Sequence, residues 1–363
     1  MLRPIIGFLY KNILRKLLFS LDPEYVHDHF VAFGYFASKF PFLLGVLDLA
    51  FNYKNPALKK TVMGIVFDNP VGLSAGFDYD GYLTKTLPHV GFGFSTVGTI
   101  TNIAYEGNTK PRLVRLIKSK ALLVNKGFKS QGVDAVLKRL EDPKLKDVTF
   151  GVSVGSSNVP EINTTDKAIE DYLATFTKLE KSPYIKFYEL NISCPNTNLA
   201  DGFAKPEFFE KLASRVAELK LSRPIFVKMP SEASFEQTEQ VIEIAFKYGL
   251  YAFIFSNLVK DRNNKWLMPE DKQKIETLKG NLSGMPVKEH SLNLIRHFKQ
   301  KYGSKIVIVG TGGIFEPQDA QEKIEAGADL VQLITGMIFE GPTLIGNINK
   351  HLVQKLKYPV TSV

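Results

Sequence analysis

From residue 71 onward, short apolar runs alternate along the chain with amphipathic segments. Eight runs are candidate strands, at residues 71–76, 92–99, 149–155, 187–193, 224–230, 251–257, 305–313 and 330–336. Apolar positions at helical spacing lie between several of them, for example at residues 208–219, 238–248, 292–302 and 317–326. Near-continuous apolar strands that alternate with such helices indicate a parallel sheet covered by helices. Eight units over about 270 residues favour a closed (β/α)8 TIM barrel over an open doubly wound sheet, and no G-x-G-x-x-G follows the first strand.

The first fifty residues follow a different pattern, with apolar positions three or four apart. Over residues 2–20 these positions are Leu2, Ile6, Leu9, Ile13 and Leu17. Basic side chains occupy the opposite side and no acidic residue occurs among the first twenty, which predicts an amphipathic helix with a cationic polar face. The interrupting charges and the lack of a small-residue cleavage site argue against a signal peptide.

Two more apolar segments complete this amino-terminal helical appendage. Asp22 and Pro23 are typical of a helix cap and a first helical residue, so a second helix should begin there. An apolar stretch follows at residues 40–51; joined to residues 31–39 it reaches spanning length, but Lys39, Pro41 and Asp48 argue against a transmembrane helix. The helices either pack on the barrel alone or lie as a hairpin in a membrane interface, with lysines toward the lipid head groups. The sequence leaves both open.

Composition and charge narrow the class of protein. Of the 363 residues, 44% are hydrophobic and 23% are charged, which excludes global disorder and collagen-like repeats. The net charge of +9 is spread along the chain, so an anionic small molecule or a membrane surface is favoured over nucleic acid as a partner. Cys194 is the only cysteine, which excludes an intrachain disulfide framework and suits a reducing compartment. The histidines show no metal-ligand spacing, so no metal site is expected.

The candidate chemistry lies at the carboxyl ends of the predicted strands, where barrels of this kind place their active sites. These ends are small or polar: residues 75–76, 98–99, 153, 191–194, 228, 256–257, 312–313 and 335–336. Turn-forming preference explains some of them. Lys228, however, ends the apolar run 225–227 and should point into the barrel mouth, where it is either paired with an anion or exposed at the rim; we adopt the anion role.

Glycine-rich turns follow strands seven and eight, at residues 310–313 and 335–336. Both place bare backbone N–H groups beside a helix start, the arrangement with which barrels hold a phosphate. Glycine is required because a side chain would block the approach of backbone to phosphate oxygens. The two turns together predict a phosphorylated ligand, and Lys228 across the mouth would stabilise negative charge on a ring system, as an electron-sink cofactor requires.

Residues 191–197, Asn-Ile-Ser-Cys-Pro-Asn-Thr, form the most distinctive segment. The segment follows a strand directly, so Asn191 should point inward and Cys194 should open the next loop. Two amides beside a thiol suit a planar substrate that bears a carboxylate or an imide, while the thiolate accepts a proton. The alternative is a buried, inert cysteine with turn-forming asparagines.

These motifs, in this order, resemble those of a known family. The segments that carry the resemblance are residues 18–24, 69–78, 107–112, 127–128, 191–197, 282–284, 312–314 and 330–342. Nearly end to end, the chain resembles the dihydroorotate dehydrogenases, specifically their quinone-dependent, membrane-associated class.

The resemblance implies an FMN flavoprotein that oxidises dihydroorotate to orotate in pyrimidine (UMP) synthesis. The implied FMN contacts are Ala75, Gly76, Thr99, Ser153, Asn191, Lys228, Ser256, Gly284, Gly312, Gly313, Thr335 and Gly336. The implied substrate contacts are Tyr79, Asn125, Asn191, Asn196 and Asn257. Cys194 stands at the position of the base that takes a proton from ring carbon 5 while a hydride leaves carbon 6 for flavin N5.

The resemblance also implies an oxidant and a location. Electrons would pass to a respiratory quinone that enters between the amino-terminal helices, which divides the chain into a membrane and quinone-access segment, residues 1–52, and an FMN-binding catalytic barrel, residues 53–363. The protein is therefore expected to be peripheral on the cytoplasmic side of the cell inner membrane.

Several positions depart from the family pattern. The quinone-dependent class normally has serine as base, whereas Cys194 is typical of the cytosolic classes; a thiol, with a reference pKa near 8.5, is the better base close to neutrality. Tyr79 stands where a lysine is expected to face the substrate carboxylate, and Lys126 is the candidate replacement for that charge. The loop around Asn125 is one residue tighter than in the family. Ser153 replaces an asparagine, and Ile334 replaces an aromatic residue.

These departures keep two alternatives open. The first is an FMN barrel of the same superfamily with another substrate or electron acceptor. The second is a non-catalytic flavin- or ligand-binding protein. The joint presence of Lys228, Cys194 and the glycine turns argues against a decayed site.

Overall fold

Eight parallel strands close into a barrel in the computed structural model, which describes residues 2–193 and 202–357. In chain order, β1 to β8 are Val71–Leu73, Phe94–Ile100, Phe150–Val154, Phe187–Asn191, Ile225–Lys228, Ala252–Phe255, Val307–Thr311 and Leu330–Leu333. Neighbours along the chain are neighbours in the barrel, and β8 pairs with β1 to close it. Each strand lies within one residue of its predicted run, so the predicted (β/α)8 barrel is confirmed.

Helices connect the strands and cover the outside of the barrel. They are Leu87–Val90, Val133–Leu140, Thr165–Leu179, Pro206–Glu218, Phe235–Lys247, Pro269–Lys274, Lys288–Tyr302, Pro317–Glu325, Thr335–Glu340 and Thr343–Lys357. Their apolar faces pack on the strands; Thr165–Leu179, for example, buries Ile169, Phe176 and Leu179. This burial on both sides explains why the strands are almost wholly apolar.

The interior of the barrel changes from apolar to polar along its axis. A hairpin of strands Lys60–Val62 and Ile65–Phe67 precedes β1 and closes the amino-terminal end. Phe67 packs there against Phe94 and Phe187, with ring centroids 5.0 and 6.4 Å apart. Toward the carboxyl ends, the buried residues on the strands include Thr96, Ser153, Glu189, Lys228 and Gln332. The polar layer leads to the end where a site is expected.

A small antiparallel sheet that the hydrophobic pattern did not predict joins this end of the barrel. Its strands are Leu113–Leu116, Ala121–Val124 and Asn281–Gly284, with Ala121–Val124 in the centre. Val124 and Ser283 on this sheet reach the cavity described below.

The amino-terminal appendage is helical, as predicted. Helices Leu2–Leu9 and Arg15–Ser20 are joined by a π-helical stretch, Tyr10–Leu14, and helices Pro23–Ala37 and Pro41–Phe51 follow. The carboxylate of Asp22 caps the second predicted helix by accepting a hydrogen bond of 2.8 Å from the backbone N–H of Tyr25. No single helix among the described residues is long and apolar enough to cross a membrane; Pro23–Ala37 and Pro41–Phe51 reach that length and composition only as a pair, bent by 118°.

Candidate active site

A cavity of about 600 Å³ opens at the carboxyl ends of the barrel strands and continues to the amino-terminal helices. Eight predicted site residues line it: Ala75, Gly76, Tyr79, Thr99, Asn191, Lys228, Asn257 and Thr335. Apolar side chains of the helices Pro23–Ala37 and Pro41–Phe51 line its other part, among them Phe30, Phe33, Val46, Leu47 and Ala50. One space therefore joins a polar barrel mouth to an apolar channel between helices.

A directional chain of hydrogen bonds lies behind the wall of the barrel mouth. The Asn191 amide donates to Thr99 Oγ1 at 3.0 Å, and Thr99 and Ser153 hydroxyls are 2.9 Å apart. Ser153 Oγ donates to Glu189 Oε1 at 2.7 Å, so Thr99 must be the donor to Ser153. Lys228 Nζ donates to the same Glu189 oxygen at 3.2 Å. Four strands thereby hold Asn191 and Lys228 in fixed positions on the wall.

Asn257, in the turn after β6, joins this group. Its amide nitrogen donates to Ser193 Oγ at 2.9 Å and to the Ser193 carbonyl at 3.0 Å. The backbone N–H of Ser193 lies 3.4 Å from the Asn191 amide oxygen. Two amide side chains therefore flank Ser193, the last described residue before Cys194; Cys194 and Asn196 lie outside the described residues.

The glycine turns after β7 and β8 pack tightly against their surroundings. Gly312 and Gly313 have φ angles of 90° and 68°, in the left-handed region that favours glycine. A Cβ at Gly336 would lie 1.7 Å from the Ile314 carbonyl, and one at Gly284 would lie 2.4 Å from the Lys120 carbonyl. Gly284 and Gly336 lie beside Thr335, whose hydroxyl is 2.8 Å from Ser283 Oγ. Thr335 and Ser283 line the cavity, and the four glycines lie behind them or pack against Val287 and Lys288.

Three of the predicted site residues other than glycine do not line the cavity: Ser153, Ser256 and Asn125. Ser153 is fully buried behind the wall, within the hydrogen-bond chain. Ser256 Oγ lies 2.5 Å from Ser231 Oγ, within the turn after β6. Asn125 is not among the residues that line the cavity; its side chain accepts a hydrogen bond of 2.9 Å from Asn108. The loop that follows is tight, with Gly127 and Phe128 at φ angles of 67° and 64°. Val124 lines the cavity instead.

An ion-paired cluster connects the helix Pro23–Ala37 to the cavity wall. The Glu24 carboxylate accepts from Arg112 Nε at 3.2 Å and from Lys126 Nζ. Burial opposes ionisation of Glu24, but the hydrogen bonds and charges of Lys126 and Arg112 together outweigh it and lower the pKa of Glu24. Lys126 lies over the ring of Tyr79, with Nζ 5.4 Å from the ring centroid. Burial, followed by the charges of Glu24 and Asp28, raises the pKa of Tyr79, so Tyr79 is a neutral phenol. Burial lowers the pKa of Lys126, but the hydrogen bond and charge of Glu24 oppose that shift, so Lys126 supplies a positive charge at this part of the wall.

The sequence reasoning missed Glu24 and Glu189. Glu24 lies in a helix that the hydrophobic pattern assigned only to the appendage, so nothing pointed to its contact with residues a hundred positions away. Glu189 left a signal, since it is a carboxylate within the otherwise apolar start of β4, Phe-Tyr-Glu-Leu. A charge within a buried strand requires a partner, and Lys228 is that partner.

Comparison with known proteins gives a consistent result. The family model for dihydroorotate dehydrogenase matches residues 57–356. A dihydroorotate dehydrogenase (quinone) of Christiangramia forsetii is 36% identical over 351 residues, covering 96% of this chain and 99% of that protein. One from Synechococcus sp. strain JA-3-3Ab is 33% identical, covering 95% and 92%.

Solved structures agree with the sequence comparison. The structure of dihydroorotate dehydrogenase from Eimeria tenella in complex with ferulenol has a TM-score of 0.80 to this chain at 26% identity, covering 94% of this chain and 95% of that one. The ligand-free structure has a TM-score of 0.79 at 28% identity. The match thus includes both the barrel and most of the appendage, and the chain belongs to the dihydroorotate dehydrogenase family, in its quinone class.

Proposed function

We propose that this chain oxidises dihydroorotate to orotate with bound FMN and passes the electrons to a membrane quinone, a step of pyrimidine synthesis. The observation that carries the proposal is the single cavity that joins the barrel mouth to the apolar channel between helices. A polar substrate and an apolar oxidant need such different surroundings within reach of one cofactor. We assign residues 1–52 to quinone access and membrane contact and residues 53–363 to catalysis.

The residues at the barrel mouth fit FMN. Lys228, Thr99 and Asn191 offer polar groups on the cavity wall, and Ala75 and Gly76 leave room beside them, since a Cβ at Gly76 would meet only Ile334 within 4 Å. The backbone around Gly284, Gly312, Gly313 and Gly336, with Thr335, would hold the phosphate, while Ser153 and Ser256 support the wall from behind. When bound, FMN supplies a hydride acceptor that can be reoxidised by a quinone.

The substrate is assigned to the amide side of the mouth. Asn191, Asn257 and Asn196 would hydrogen-bond the planar ring. Tyr79 and Lys126 line the same cavity, and we assign the charge that faces the substrate carboxylate to Lys126. Asn125 has no role in this assignment, because its side chain is held by Asn108.

Cys194 is assigned as the base that takes the proton from carbon 5. We expect Cys194→Ala to abolish flavin reduction by dihydroorotate while FMN stays bound. Cys194→Ser should keep some activity with a pH profile moved to the alkaline side, because a hydroxyl has a higher pKa than the thiol value of about 8.5. Unchanged turnover of the alanine variant would remove Cys194 from the mechanism.

The quinone and the membrane are assigned to the appendage. Exposed apolar side chains cover its outer surface, including Phe42, Leu49 and Phe8 at 79%, 73% and 64% exposure. A contiguous group of exposed apolar side chains is typical of a surface that contacts a membrane or another protein. We propose peripheral attachment to the cytoplasmic side of the inner membrane, with the quinone entering between Pro23–Ala37 and Pro41–Phe51.

An anaerobic half-reaction tests the proposal. The purified chain is mixed with dihydroorotate in the absence of quinone, and the visible flavin absorbance is followed. Bleaching, reversed by addition of a ubiquinone analogue, is the expected result. A chain purified without flavin would refute the cofactor assignment.

A different substrate on the same flavin barrel is the second candidate. Two observations favour it. Tyr79 is neutral at a position on the wall where a cation was expected, and Val124 lines the cavity where Asn125 was expected. Bound flavin that dihydroorotate fails to bleach would support this candidate over the first.

A further inference from the structure

Glu189 is a buried carboxylate inside the barrel to which the assigned reaction gives no role. Its residue exposure is 0%. Its Oε1 accepts hydrogen bonds from Ser153 at 2.7 Å and from Lys228 at 3.2 Å. Its Oε2 is also buried and has no hydrogen-bond partner among residues 2–193 and 202–357. A buried ion pair in which one carboxylate oxygen has no hydrogen bond contributes little to stability, because the cost of removing both charges from water offsets their attraction. This arrangement points to a functional reason for the charge.

Lys228 is the group on which Glu189 acts. Lys228 lies at the end of β5 and lines the cavity, although only 5% of the residue is exposed. Within the described part of the chain, Glu189 is the only carboxylate that pairs with it. The positive charge that this wall presents to the cavity is therefore partly offset from behind by one negative charge.

A chain of hydrogen-bond donors ends at Glu189. Asn191 donates to Thr99, Thr99 to Ser153 and Ser153 to Glu189. The same carboxylate thus ends the chain that orients the Asn191 amide and the contact that holds the Lys228 ammonium. Glu189 is linked to two cavity-lining side chains without lining the cavity itself.

We propose that Glu189 is a positioning residue that holds Lys228 at the cavity wall and offsets its charge, so that bound FMN has a lower reduction potential. This inference rests on the proposed function. A cation beside the flavin ring favours the reduced form, which carries more negative charge, and charges near the ring are the means by which a protein tunes it. In the low-dielectric barrel interior, a carboxylate hydrogen-bonded to that cation weakens the effect. The negative charge thereby favours passing electrons onward to the quinone.

The test is the midpoint potential of the flavin bound to the full-length chain, measured by spectroelectrochemistry. Glu189→Gln keeps the size and the acceptor oxygen but removes the charge. Glu189→Asp keeps the charge on a shorter side chain. Glu180→Gln is the matched control, since Glu180 is also ion-paired, with Arg223 at 3.0 Å, but interacts with Ser222, which precedes β5, away from the cavity.

Compared with the wild type, Glu189→Gln should raise the ratio of the affinity for reduced flavin to the affinity for oxidised flavin at least tenfold. For a two-electron couple this is a positive shift of the midpoint potential of about 30 mV. Glu180→Gln should match the wild type, and Glu189→Asp should lie nearer to the wild type than Glu189→Gln does. Equal potentials in all four proteins would overturn the inference.

Other outcomes are also decisive. Glu189→Gln that folds but no longer binds flavin would overturn the inference, because tuning requires binding to persist. If Glu189→Gln does not fold, Glu189→Asp decides: a lengthened contact to Lys228 should raise the potential, and an unchanged potential contradicts the inference. A wild-type chain without flavin refutes the proposed function itself, whereas bound flavin with an unchanged potential refutes only the role of Glu189.

Discussion

Lys126 and Tyr79 determine where positive charge lies on the cavity wall. Tyr79 is held neutral by burial, so it offers a hydroxyl but no charge. Lys126 is almost fully buried, and its contact with Glu24 keeps it beside the cavity. Because Arg112 also contacts Glu24, that carboxylate is shared by two cations and the wall retains a net positive charge. An anionic substrate would be attracted to it.

Removing this cation should weaken substrate binding more than it slows chemistry. A hydrogen bond to a charged group contributes about 1.5–3 kcal/mol, so Lys126→Met should raise the dihydroorotate concentration for half-maximal flavin bleaching by about 10- to 100-fold. The limiting bleaching rate should fall much less. Lys118→Met, on an exposed turn, is the control; equal effects of both variants would show that Lys126 does not contact the substrate.

The helix Pro41–Phe51 has two faces with different tasks. Val46, Leu47 and Ala50 line the cavity, while Phe42 and Leu49 point outward and are strongly exposed. The helix contains no fully buried residue, so packing on the barrel alone does not explain its apolar outer face. Neighbouring positions on this helix can therefore be altered to separate access to the cavity from contact with the surroundings.

A bulky residue inside the channel should block the quinone without affecting the substrate. We expect Ala50→Trp to raise the quinone concentration for half-maximal turnover about tenfold, equivalent to about 1.4 kcal/mol of lost binding. Anaerobic bleaching by dihydroorotate should be unchanged. The neighbouring Leu49→Trp should behave like the wild type in both assays, and a loss of bleaching in Ala50→Trp would mean that the two parts of the cavity are not separate.

The helix Pro317–Glu325 carries a buried amine. Lys323 is 2% exposed and donates to Ser291 Oγ at 2.8 Å. Burial lowers the pKa of Lys323 from 10.5 to about 7, against the smaller effect of Asp319, which raises it; Lys288 and Glu322 are the other charges nearby. Near pH 8 the folded chain therefore keeps this amine mostly neutral, while the unfolded chain protonates it.

The consequence is a pH-dependent stability term with a definite sign. Between pH 7 and 10.5 the unfolded state binds the extra proton at this site, so its contribution to the free energy of unfolding rises with pH. Lys323→Met should remove that part of the slope and stabilise the chain most at the low end of the window. Chemical denaturation from pH 6.5 to 9.5 measures it, with exposed Lys350→Met as control; parallel curves for Lys323→Met and the wild type would contradict the assignment.

The molecule as a whole is asymmetric in its exposed apolar surface. The strongly exposed apolar residues lie mainly on residues 2–51, with isolated examples such as Val66 and Leu356 elsewhere. Basic residues accompany them over residues 2–20, namely Arg3, Lys11, Arg15 and Lys16. This surface surrounds the helices that line the cavity, so membrane contact and quinone entry would occur on the same side.

Vesicle binding should depend on this surface. Full burial of a large apolar side chain contributes about 1.5–3 kcal/mol, so replacing Phe42 and Leu49 together with serine should lower partitioning onto anionic phospholipid vesicles by at least about tenfold. Flavin bleaching in solution should persist. Val66→Ser, at a residue 54% exposed on the hairpin, should change neither; equal vesicle binding by all three proteins would exclude this surface as the contact.

Several features of the fold could be predicted from the amino-acid sequence alone. The eight strands, the helices between them and the amphipathic helix over residues 2–20 depend on local spacing of apolar side chains, which short-range geometry dictates. Lys228 could be placed at the mouth because the carboxyl ends of parallel strands share one end of a barrel. The small sheet was not predictable in this way, since its four-residue strands are too short for a periodic pattern.

The contacts that give those residues their chemistry depended on the tertiary structure. The side chain of Asn125 hydrogen-bonds Asn108 and does not reach its predicted place at the cavity. Glu24 reaches Lys126 because the helix Pro23–Ala37 lies at the barrel mouth. Glu189 and Lys228 are adjacent through the pairing of β4 and β5. The sequence determined which side chains face the inside of each element, because that depends on neighbours along the chain. Which of them meet was decided by strand pairing and packing, because the partners are tens to hundreds of residues apart and local periodicity does not encode their distance.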